Sequence, residues 1–160
     1  KAILNVLNVA EGDLASDATK AAAQLLGPDA VVICAQVEKE ISELKPEERA
    51  EFLQGLGIGE PAAKKLIRAC YHALGQRSFI TAGEPDVHAW TIRAGDTAVI
   101  AAGKIHTDLA RGFIRAEVTA YADFLKYGTV KEAKNQGKMR LEGKDYVVQD
   151  GDIILIRFKV

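Results

Sequence analysis

"AILNVLNVAE", residues 2–11, is an apolar run that passes directly into an Asn and, three positions later, a Glu. The apolar residues predict a buried strand, and the polar residues after them predict a loop at its carboxyl end. Open α/β sheets bind their ligands at that end of the strands. The stretch therefore predicts the base-recognition loop of a nucleotide-binding protein, with Asn8 and Glu11 as its polar side chains.

A second apolar run, AVVIC at residues 30–34, predicts another buried strand. Between the two runs we expect a helix over residues 17–26, which Ser16 caps and Gly27 ends. Strand, helix and strand in this order form a βαβ unit and imply a parallel sheet. Two strands are too few for such a sheet, so we expect a fragment whose remaining strands precede Lys1.

Helices are predicted in the segment that follows. Pro46 suits the first position of one helix, and Gly55 ends it. The next helix, over residues 60–74, has an apolar face that we expect to be buried, consisting of Leu66, Ile67, Cys70, Tyr71 and Leu74. The Gly-rich segment at 55–59 lacks the Lys-Ser/Thr of a phosphate-binding loop, and G-x-x-x-x-G-K-[ST] occurs nowhere in the sequence.

Beyond Gly75 the sequence pattern changes from helical to strand-like. Strands are predicted at residues 78–82, 87–92, 112–120, 140–148 and 153–158. One helix is predicted at 98–105 with Thr97 as its cap, and turns at 83–86 and 143–144. A hairpin, a helix and further strands follow one another in this way in β-grasp, ubiquitin-like domains. The predicted fold class is α/β in residues 1–76 followed by α+β in residues 77–160.

The composition is that of a globular chain, with 48% apolar and 27% charged residues. No segment reaches the roughly 20 apolar residues that span a bilayer, and no signal-peptide pattern occurs, so we expect a soluble, cytoplasmic protein. The net charge of −1 conceals a basic region, because residues 103–144 hold nine Lys or Arg against five Asp or Glu. Charge alone leaves open whether this region contacts RNA or protein, or is only solvated. The candidate contact residues are Lys104, Arg111, Arg115, Lys131, Lys134 and Lys138.

Three other groups of residues invite a functional interpretation, and each also has a structural one. His106 and Asp108 could pair as a carboxylate-oriented imidazole, but the absence of an obvious nucleophile favours a hydrogen-bonded turn. Trp90 could stack on a base, but its apolar neighbours in the sequence favour packing. Cys34 and Cys70 are expected to be buried, reduced thiols, and no Cys or His spacing indicates a metal site.

The tetrad Asn8-Val9-Ala10-Glu11 stands where GTPases carry Asn-Lys-x-Asp. In that loop the Asp accepts hydrogen bonds from the N1–H and N2–H₂ groups of guanine. Adenine has a lone pair at N1, which a carboxylate repels, but it offers N6–H₂ and N7, which an Asn amide can satisfy together. The altered tetrad therefore favours adenine over guanine, with an ordinary helix-capping loop as the alternative.

Longer stretches carry a resemblance to a known family. They are NVAE at residues 8–11, EISEL and EERAEFL at 40–44 and 47–53, FITAGEPDVHAWTIRAG at 79–95, AAGKIHTDLARGFIRAEV at 101–118 and LEGKDYVVQDGDIILIRF at 141–158. These stretches are similar to the carboxyl-terminal part of the YchF family, which are Obg-related P-loop ATPases that associate with ribosomes. The resemblance covers nearly the whole chain.

The resemblance implies a domain assignment and a ligand. Residues 1–76 would be the carboxyl-terminal part of a P-loop nucleotide-binding domain, and residues 77–160 a TGS domain with the β-grasp fold. The nucleotide would be ATP, with Val9 contacting adenine through its backbone. The residues implied on the adenine side are Asn8, Val9, Glu11, Cys34 and Ala35.

The same resemblance implies what the chain lacks. The P-loop, the switch regions and the Mg²⁺ ligands would precede Lys1, so we expect no catalytic or metal-binding residue here and no ATP hydrolysis by this chain alone. The alternative is a free-standing TGS-type interaction module that binds RNA or protein and has no nucleotide role. A hydrolase built on His106 and Asp108 is a more distant possibility.

Overall fold

The computed structural model describes residues 2–83 and 86–159. The chain divides into two compact units, the first ending at Leu74 and the second beginning at Gly75. Glu84 and Pro85, which belong to the predicted turn at 83–86, lie outside the described residues. Within the described ranges, no helix combines the length and the apolar content needed to cross a membrane.

The first unit begins with the predicted βαβ arrangement. Strands β1 (Val6–Asn8) and β2 (Val31–Ile33) pair in parallel, with Val6 opposite Val31, and helix α1 (Asp17–Leu26) connects them. Ser16 caps α1, since its Oγ accepts a hydrogen bond from the Thr19 N–H at 3.1 Å. The prediction of a buried strand over residues 2–6 is wrong, because pairing begins only at Val6 and the Ile3 side chain is 79% exposed.

Three helices complete the first unit: α2 (Ala35–Glu43), α3 (Pro46–Gly55) and α4 (Ala62–Ala73). Val37 and Ile41 on α2 form a small core that packs against apolar residues of α3 and of the α3–α4 connection. The carboxylate of Glu38 accepts hydrogen bonds from the N–H groups of Ala62 at 2.6 Å and Ala63 at 3.1 Å. Glu38 thus caps α4 across the tertiary structure, where the helix dipole favours a negative charge.

The apolar face of α4 is not buried, contrary to the prediction. Ile67 is 58% and Leu74 63% exposed, Cys70 and Tyr71 are also exposed, and only Leu66 is partly buried. Cys34 is a buried free thiol as expected, but the same expectation for Cys70 is wrong. Periodicity identifies which face of a helix is apolar, yet it carries no information about whether an element is present to cover that face.

The second unit is built on a mixed sheet with the strand order β4-β3-β7-β5-β6. The central pair, β3 and β7, is parallel, while β3–β4, β7–β5 and β5–β6 are antiparallel. The five strands are β3 (Gln76–Ala82), β4 (Val87–Arg93), β5 (Phe113–Thr119), β6 (Arg140–Glu142) and β7 (Ile153–Phe158). This order resembles that of β-grasp sheets, in which the first and last strands are parallel neighbours.

Helix α5 (Ala98–Ile105) covers one face of this sheet. Its residues Ala98, Ala101 and Ala102 are fully buried in a core with side chains of β3, β4, β5 and β7. Thr97 occupies the N-cap position of α5 as predicted, but its side chain makes no capping hydrogen bond. Three shorter helices were not predicted, because five to seven residues carry too little periodicity: α6 (Thr107–Arg111), α7 (Tyr121–Tyr127) and α8 (Val130–Asn135).

The predicted strand at 140–148 is present only in its first part. Strand β6 ends at Glu142, and after the turn Val147 forms an isolated antiparallel bridge with Thr97. The prediction treated the turn at 143–144 as a hairpin, but the chain beyond it pairs at the N-terminal end of α5. Alternating apolar residues predict extended backbone without specifying which strand it will join.

A buried carboxylate holds this segment to the start of β7. Asp152 is only 2% exposed, and its Oδ2 accepts hydrogen bonds from the Tyr146 hydroxyl at 2.7 Å and the Gln149 N–H at 2.9 Å. Arg140 lies 3.5 Å from Asp152 Oδ1 and donates to the Tyr146 hydroxyl at 2.9 Å. Burial, together with the hydrogen bond to Asp152, raises the pKa of Tyr146 to about 12.

The first prediction compares two Gly-to-Ala substitutions. A Cβ at Gly112 would overlap the carbonyl oxygen of Lys159, whose N–H donates to the Gly112 carbonyl at 2.9 Å. A Cβ at Gly103 would meet only the Ala110 Cβ at 3.5 Å, which is an ordinary contact. We expect Gly112→Ala to reduce the free energy of unfolding by about 2 kcal/mol or more and Gly103→Ala to raise it by about 0.5 kcal/mol. Urea unfolding followed by Trp90 fluorescence measures both, and equal effects would contradict the packing described.

The second prediction concerns the Tyr146 hydroxyl. Tyr146→Phe leaves the buried Asp152 carboxylate without one of its donors, so we expect a loss of about 1–3 kcal/mol in urea unfolding at neutral pH. The raised pKa means that the folded state favours the neutral phenol. The contribution of Tyr146 to the free energy of unfolding is therefore complete below pH 10.0 and is lost as the pH rises towards 12. The wild type should therefore lose stability more steeply than the variant over that range.

Tyr121→Phe is the matched control for this substitution. Tyr121 is an exposed tyrosine whose hydroxyl has no hydrogen-bond partner in the part of the chain that is described. We expect its removal to leave the free energy of unfolding at neutral pH unchanged. A Tyr146→Phe variant that behaves like this control would show that the Asp152 network does not stabilise the unit.

Candidate functional site

The predicted base-recognition residues meet at the carboxyl ends of β1 and β2. Asn8 is the last residue of β1, and its Oδ1 accepts a hydrogen bond from the Ala35 N–H at 3.0 Å. One residue on, the Val9 N–H donates to the Ile33 carbonyl at 2.9 Å. These two hydrogen bonds hold the loop after β1 against the start of α2, at the edge where parallel α/β sheets bind ligands.

Cys34 and Ala35 lie in this arrangement with their polar groups already engaged. The Cys34 side chain is buried in the core with Val37 and Ile41, so only its backbone faces the loop after β1. The Ala35 N–H is occupied by Asn8. The next two N–H groups of α2, from Gln36 and Val37, have no intrahelical acceptor by helix geometry and remain as donors at this edge.

Glu11 begins a short 3₁₀ turn, Glu11–Asp13, after the loop. Its carbonyl accepts the Leu14 N–H at 3.2 Å, and its side chain is exposed, with no hydrogen-bond partner within residues 2–83. The structure therefore fixes the backbone of Glu11 through the turn and leaves the carboxylate available to a ligand.

The Asn8 amide has the donor and acceptor needed to bind adenine. Its Nδ2 group donates and can reach the acceptor N7 of a purine, while Oδ1 keeps a second lone pair for the N6–H₂ group. The bond to the Ala35 N–H fixes which end of the amide carries the oxygen and so orients Nδ2. An amide oriented in this way presents a fixed pattern of donor and acceptor to a base.

The first unit contains a cavity of about 230 Å³. Val32, Cys34 and Val37 line it, together with Leu14, Glu38 and the α3–α4 connection at 57–59. Of the five predicted base-side residues, only Cys34 reaches this cavity. The cavity and the base-recognition edge are therefore separate features of the first unit.

The remaining sequence candidates have structural roles. His106 is the N-cap of α6, and its Nδ1 accepts the Asp108 N–H at 3.2 Å, while Asp108 pairs with Arg111 at 3.0 Å. Trp90 packs on Phe79 and donates its indole N–H to the Thr81 hydroxyl at 2.9 Å. Among the residues that the structure describes, no three His, Cys, Asp or Glu side chains cluster as metal ligands.

The six candidate basic residues do not form one surface. On β5, Ala116 and Val118 belong to the core beneath α5, so Arg115 and Glu117 point to the opposite face of the sheet. Lys104 and Arg111 belong to α5 and α6, on the side of the sheet that those helices cover. Lys131 and Lys134 belong to α8, and Lys138 follows that helix. Of the six candidates, only Arg115 and Lys134 line a common groove.

Arg115 and Lys134 line what we call the basic groove, with a volume of about 470 Å³. Its charged residues are Arg115, Lys134, Arg157 and Glu117, and its apolar residues are Ile114, Met139 and Leu141. Arg157 binds Glu117 through two hydrogen bonds, of 2.8 and 3.2 Å, and this pairing lowers the pKa of Glu117. Sequence analysis missed Arg157 because it lies outside the basic stretch at 103–144, although the alternation in β7 placed it on the outward face.

Known proteins resemble this chain along most of its length. A family profile described as YchF-GTPase_C, protein of unknown function (DUF933), matches residues 77–159. The ribosome-binding ATPase YchF of Haemophilus influenzae is 53% identical over 134 residues, which is 84% of this chain and 37% of that protein. The protein of the same name in Bacillus subtilis is 48% identical over 167 residues, which is 100% of this chain and 46% of that protein.

Solved structures show the same relationship. The Schizosaccharomyces pombe YchF GTPase matches with a TM-score of 0.78 at 29% identity, over 98% of this chain and 43% of that one. A GTP-binding protein from Pyrococcus horikoshii OT3 matches with a TM-score of 0.58 at 20% identity, over 98% of this chain and 45% of that one, which shows a shared fold. The chain spans less than half the length of the relatives it matches.

The third prediction tests the contact between Asn8 and Ala35. Asn8→Ala removes the acceptor of the Ala35 N–H, so we expect that amide to exchange with solvent about 2- to 10-fold faster in hydrogen-exchange NMR. Asn5→Ala is the matched control, since Asn5 bonds the Leu26 carbonyl at 2.8 Å on another side of the unit. Unchanged exchange at Ala35 in Asn8→Ala, or an equal acceleration in the control, would show that Asn8 does not hold α2.

Proposed function

The chain belongs to the YchF family, and from this membership we propose that it is the carboxyl-terminal part of a ribosome-associated, ATP-preferring P-loop ATPase. In this proposal the first unit is the end of the nucleotide-binding domain, and the second unit is a TGS domain of β-grasp type that serves as a docking or regulatory module. The sheet order of the second unit, with α5 across one face, supports the β-grasp assignment.

The first unit has the surfaces expected of part of a larger α/β domain. Parallel sheets are stable when several strands are covered on both faces, and β1 and β2 alone form a sheet of three-residue strands. Large apolar side chains are exposed on β1, α1 and α4, among them Val6, Leu25 and Ile67. Further strands and helices of the same domain would cover such surfaces. The matched relatives are more than twice as long as this chain, so they have room for those elements.

The observation that carries the nucleotide proposal is the hydrogen bond from the Ala35 N–H to Asn8 Oδ1. It orients the Asn8 amide at the ligand-binding edge of two parallel strands, so that Nδ2 can donate to N7 of adenine. Glu11 then disfavours guanine, because its longer side chain replaces the Asp that GTPases use. Val9 would contact the base through its backbone, and the Cys34–Ala35 segment would close the base site from the side of α2.

Hydrolysis is proposed for the whole protein and not for this chain. Phosphoryl transfer depends on groups that position the phosphates and Mg²⁺, and the sequence has no P-loop motif to do so. The chain alone should therefore bind ATP weakly and leave it intact. The ribosome is the proposed partner of the whole protein, as the names of the relatives suggest.

The fourth prediction changes the base preference. Val9→Lys with Glu11→Asp restores Asn-Lys-x-Asp, whose Asp accepts the N1–H and N2–H₂ donors of guanine. In the protein produced from the whole reading frame, we expect the ratio of ATP affinity to GTP affinity to shift towards GTP by about tenfold or more. Titration of fluorescent ATP and GTP analogues into both proteins measures this ratio.

Val87→Lys is a matched control, because it places the same new charge on an exposed strand residue of the second unit. This control should keep the original preference. An unchanged ratio in the double variant, with both nucleotides still bound, would contradict base recognition by this loop and would favour an interaction module without a nucleotide role.

A further inference from the structure

The basic groove on the open face of the second unit's sheet carries an uncompensated charge. Arg115 on β5 and Arg157 on β7 are directly opposite in the strand register. Like charges in that position destabilise a sheet unless an anion lies between them. One carboxylate, Glu117, is present, and Arg157 engages both of its oxygens.

Arg115 and Lys134 attract Glu117 only through space, which helps to lower the pKa of Glu117, and neither has a directly bonded acidic partner in the described residues. Within residues 2–83 and 86–159, neither forms a salt bridge or a side-chain hydrogen bond. The Glu117 side chain is 16% exposed, and both of its carboxylate oxygens already accept hydrogen bonds from Arg157. The groove thus holds three cations against one carboxylate and lacks an anion for Arg115 and Lys134. The planar guanidinium of Arg115 is suited to binding a carboxylate or phosphate with two hydrogen bonds.

The rest of the groove is apolar. Ile114 and Leu141 are both more than half exposed, and Met139 also lines the groove. The groove is open to solvent and has a volume of about 470 Å³. No lining residue is aromatic, so the groove offers no platform on which the bases of a single-stranded RNA could stack.

We propose that the basic groove is a docking site for an acidic segment of a partner protein, in which an Asp or Glu binds Arg115 and Lys134 and a neighbouring bulky apolar side chain contacts Leu141. This proposal rests on the proposed docking role of the second unit and names the chemistry of its partner. The carboxylate supplies the missing anion, and the apolar contact supplies affinity that RNA phosphates would not gain from this surface.

The fifth prediction is tested with the full 160-residue chain and a dye-labelled peptide that alternates Glu with Leu and Phe. Fluorescence anisotropy should show saturable binding that Arg115→Gln with Lys134→Gln weakens about tenfold and Leu141→Thr weakens severalfold. Lys104→Gln with Lys144→Gln is the matched control, since it removes the same charge from residues that do not line the groove. That control should change the affinity less than twofold.

Two further probes decide between partners. A peptide with Lys in place of Glu should not bind. Any binding of a short single-stranded RNA should be the same for the wild type and for Leu141→Thr. Peptide binding that is unchanged by Arg115→Gln with Lys134→Gln would overturn the proposal. If the RNA binds, the acidic peptide does not, and the double variant no longer binds the RNA, the proposal is overturned and the groove is a nucleic-acid surface.

This experiment is independent of the nucleotide site and of the ribosome. Failure of the whole protein to co-sediment with ribosomes would contradict the proposed function while leaving peptide binding in the groove intact. Conversely, co-sedimentation that survives the double variant, together with loss of peptide binding, would show that the ribosome contacts a different surface.

Discussion

The parallel pairing of β1 with β2 is the constraint on which the organisation of the first unit depends. Parallel strands end at the same edge of a sheet, so the residues that follow β1 and β2 are brought together although the strand ends, Asn8 and Ile33, are far apart in the sequence. At that edge the Ala35 N–H, left without an intrahelical acceptor at the start of α2, binds Asn8. The need of the Ala35 N–H for an acceptor thereby positions the Asn8 side chain, which the proposed function uses.

The second unit depends on a different arrangement, in which β7 lies between β3 and β5 at the centre of the sheet. Because β7 is the last strand in the chain, its entry must be held by contacts distant in sequence. Asp152 provides one such contact, because its backbone carbonyl accepts the Ile80 N–H at 2.8 Å, while its buried carboxylate binds Tyr146 and Gln149 of the segment just before β7. A carboxylate buried to this degree is tolerated because each of its oxygens has donors.

The two faces of that sheet serve different purposes. The face beneath α5 is filled with aromatic and branched side chains, and the three buried residues that α5 adds to this core are alanines. The opposite face carries Arg115 and Arg157 on neighbouring strands, and Glu117 accepts hydrogen bonds from Arg157 only. Core packing determines the first face, whereas the second carries the incompletely compensated charge on which the proposed docking site rests.

Sequence patterns predicted the helices and strands well, but they predicted less well which elements pack or pair with one another. The apolar run of β2, the Ser16 cap and the limits of α5 and β7 are local properties, and local composition determines them. The exposed face of α4 and the bridge between Val147 and Thr97 depend on which elements are near in space, which no local pattern records. At the candidate site, the spacing of Asn8 and Glu11 was visible, but the Asn8–Ala35 bond required the parallel pairing of two distant strands.

A structure of the protein from the whole reading frame, with a non-hydrolysable ATP analogue bound, tests the central claim most directly. The account predicts that Asn8 Nδ2 lies within hydrogen-bond distance of adenine N7 while Oδ1 keeps the Ala35 N–H. It also predicts that the base lies against the backbone of Val9. A base bound elsewhere, or an Asn8 amide turned so that Nδ2 faces α2, would contradict it.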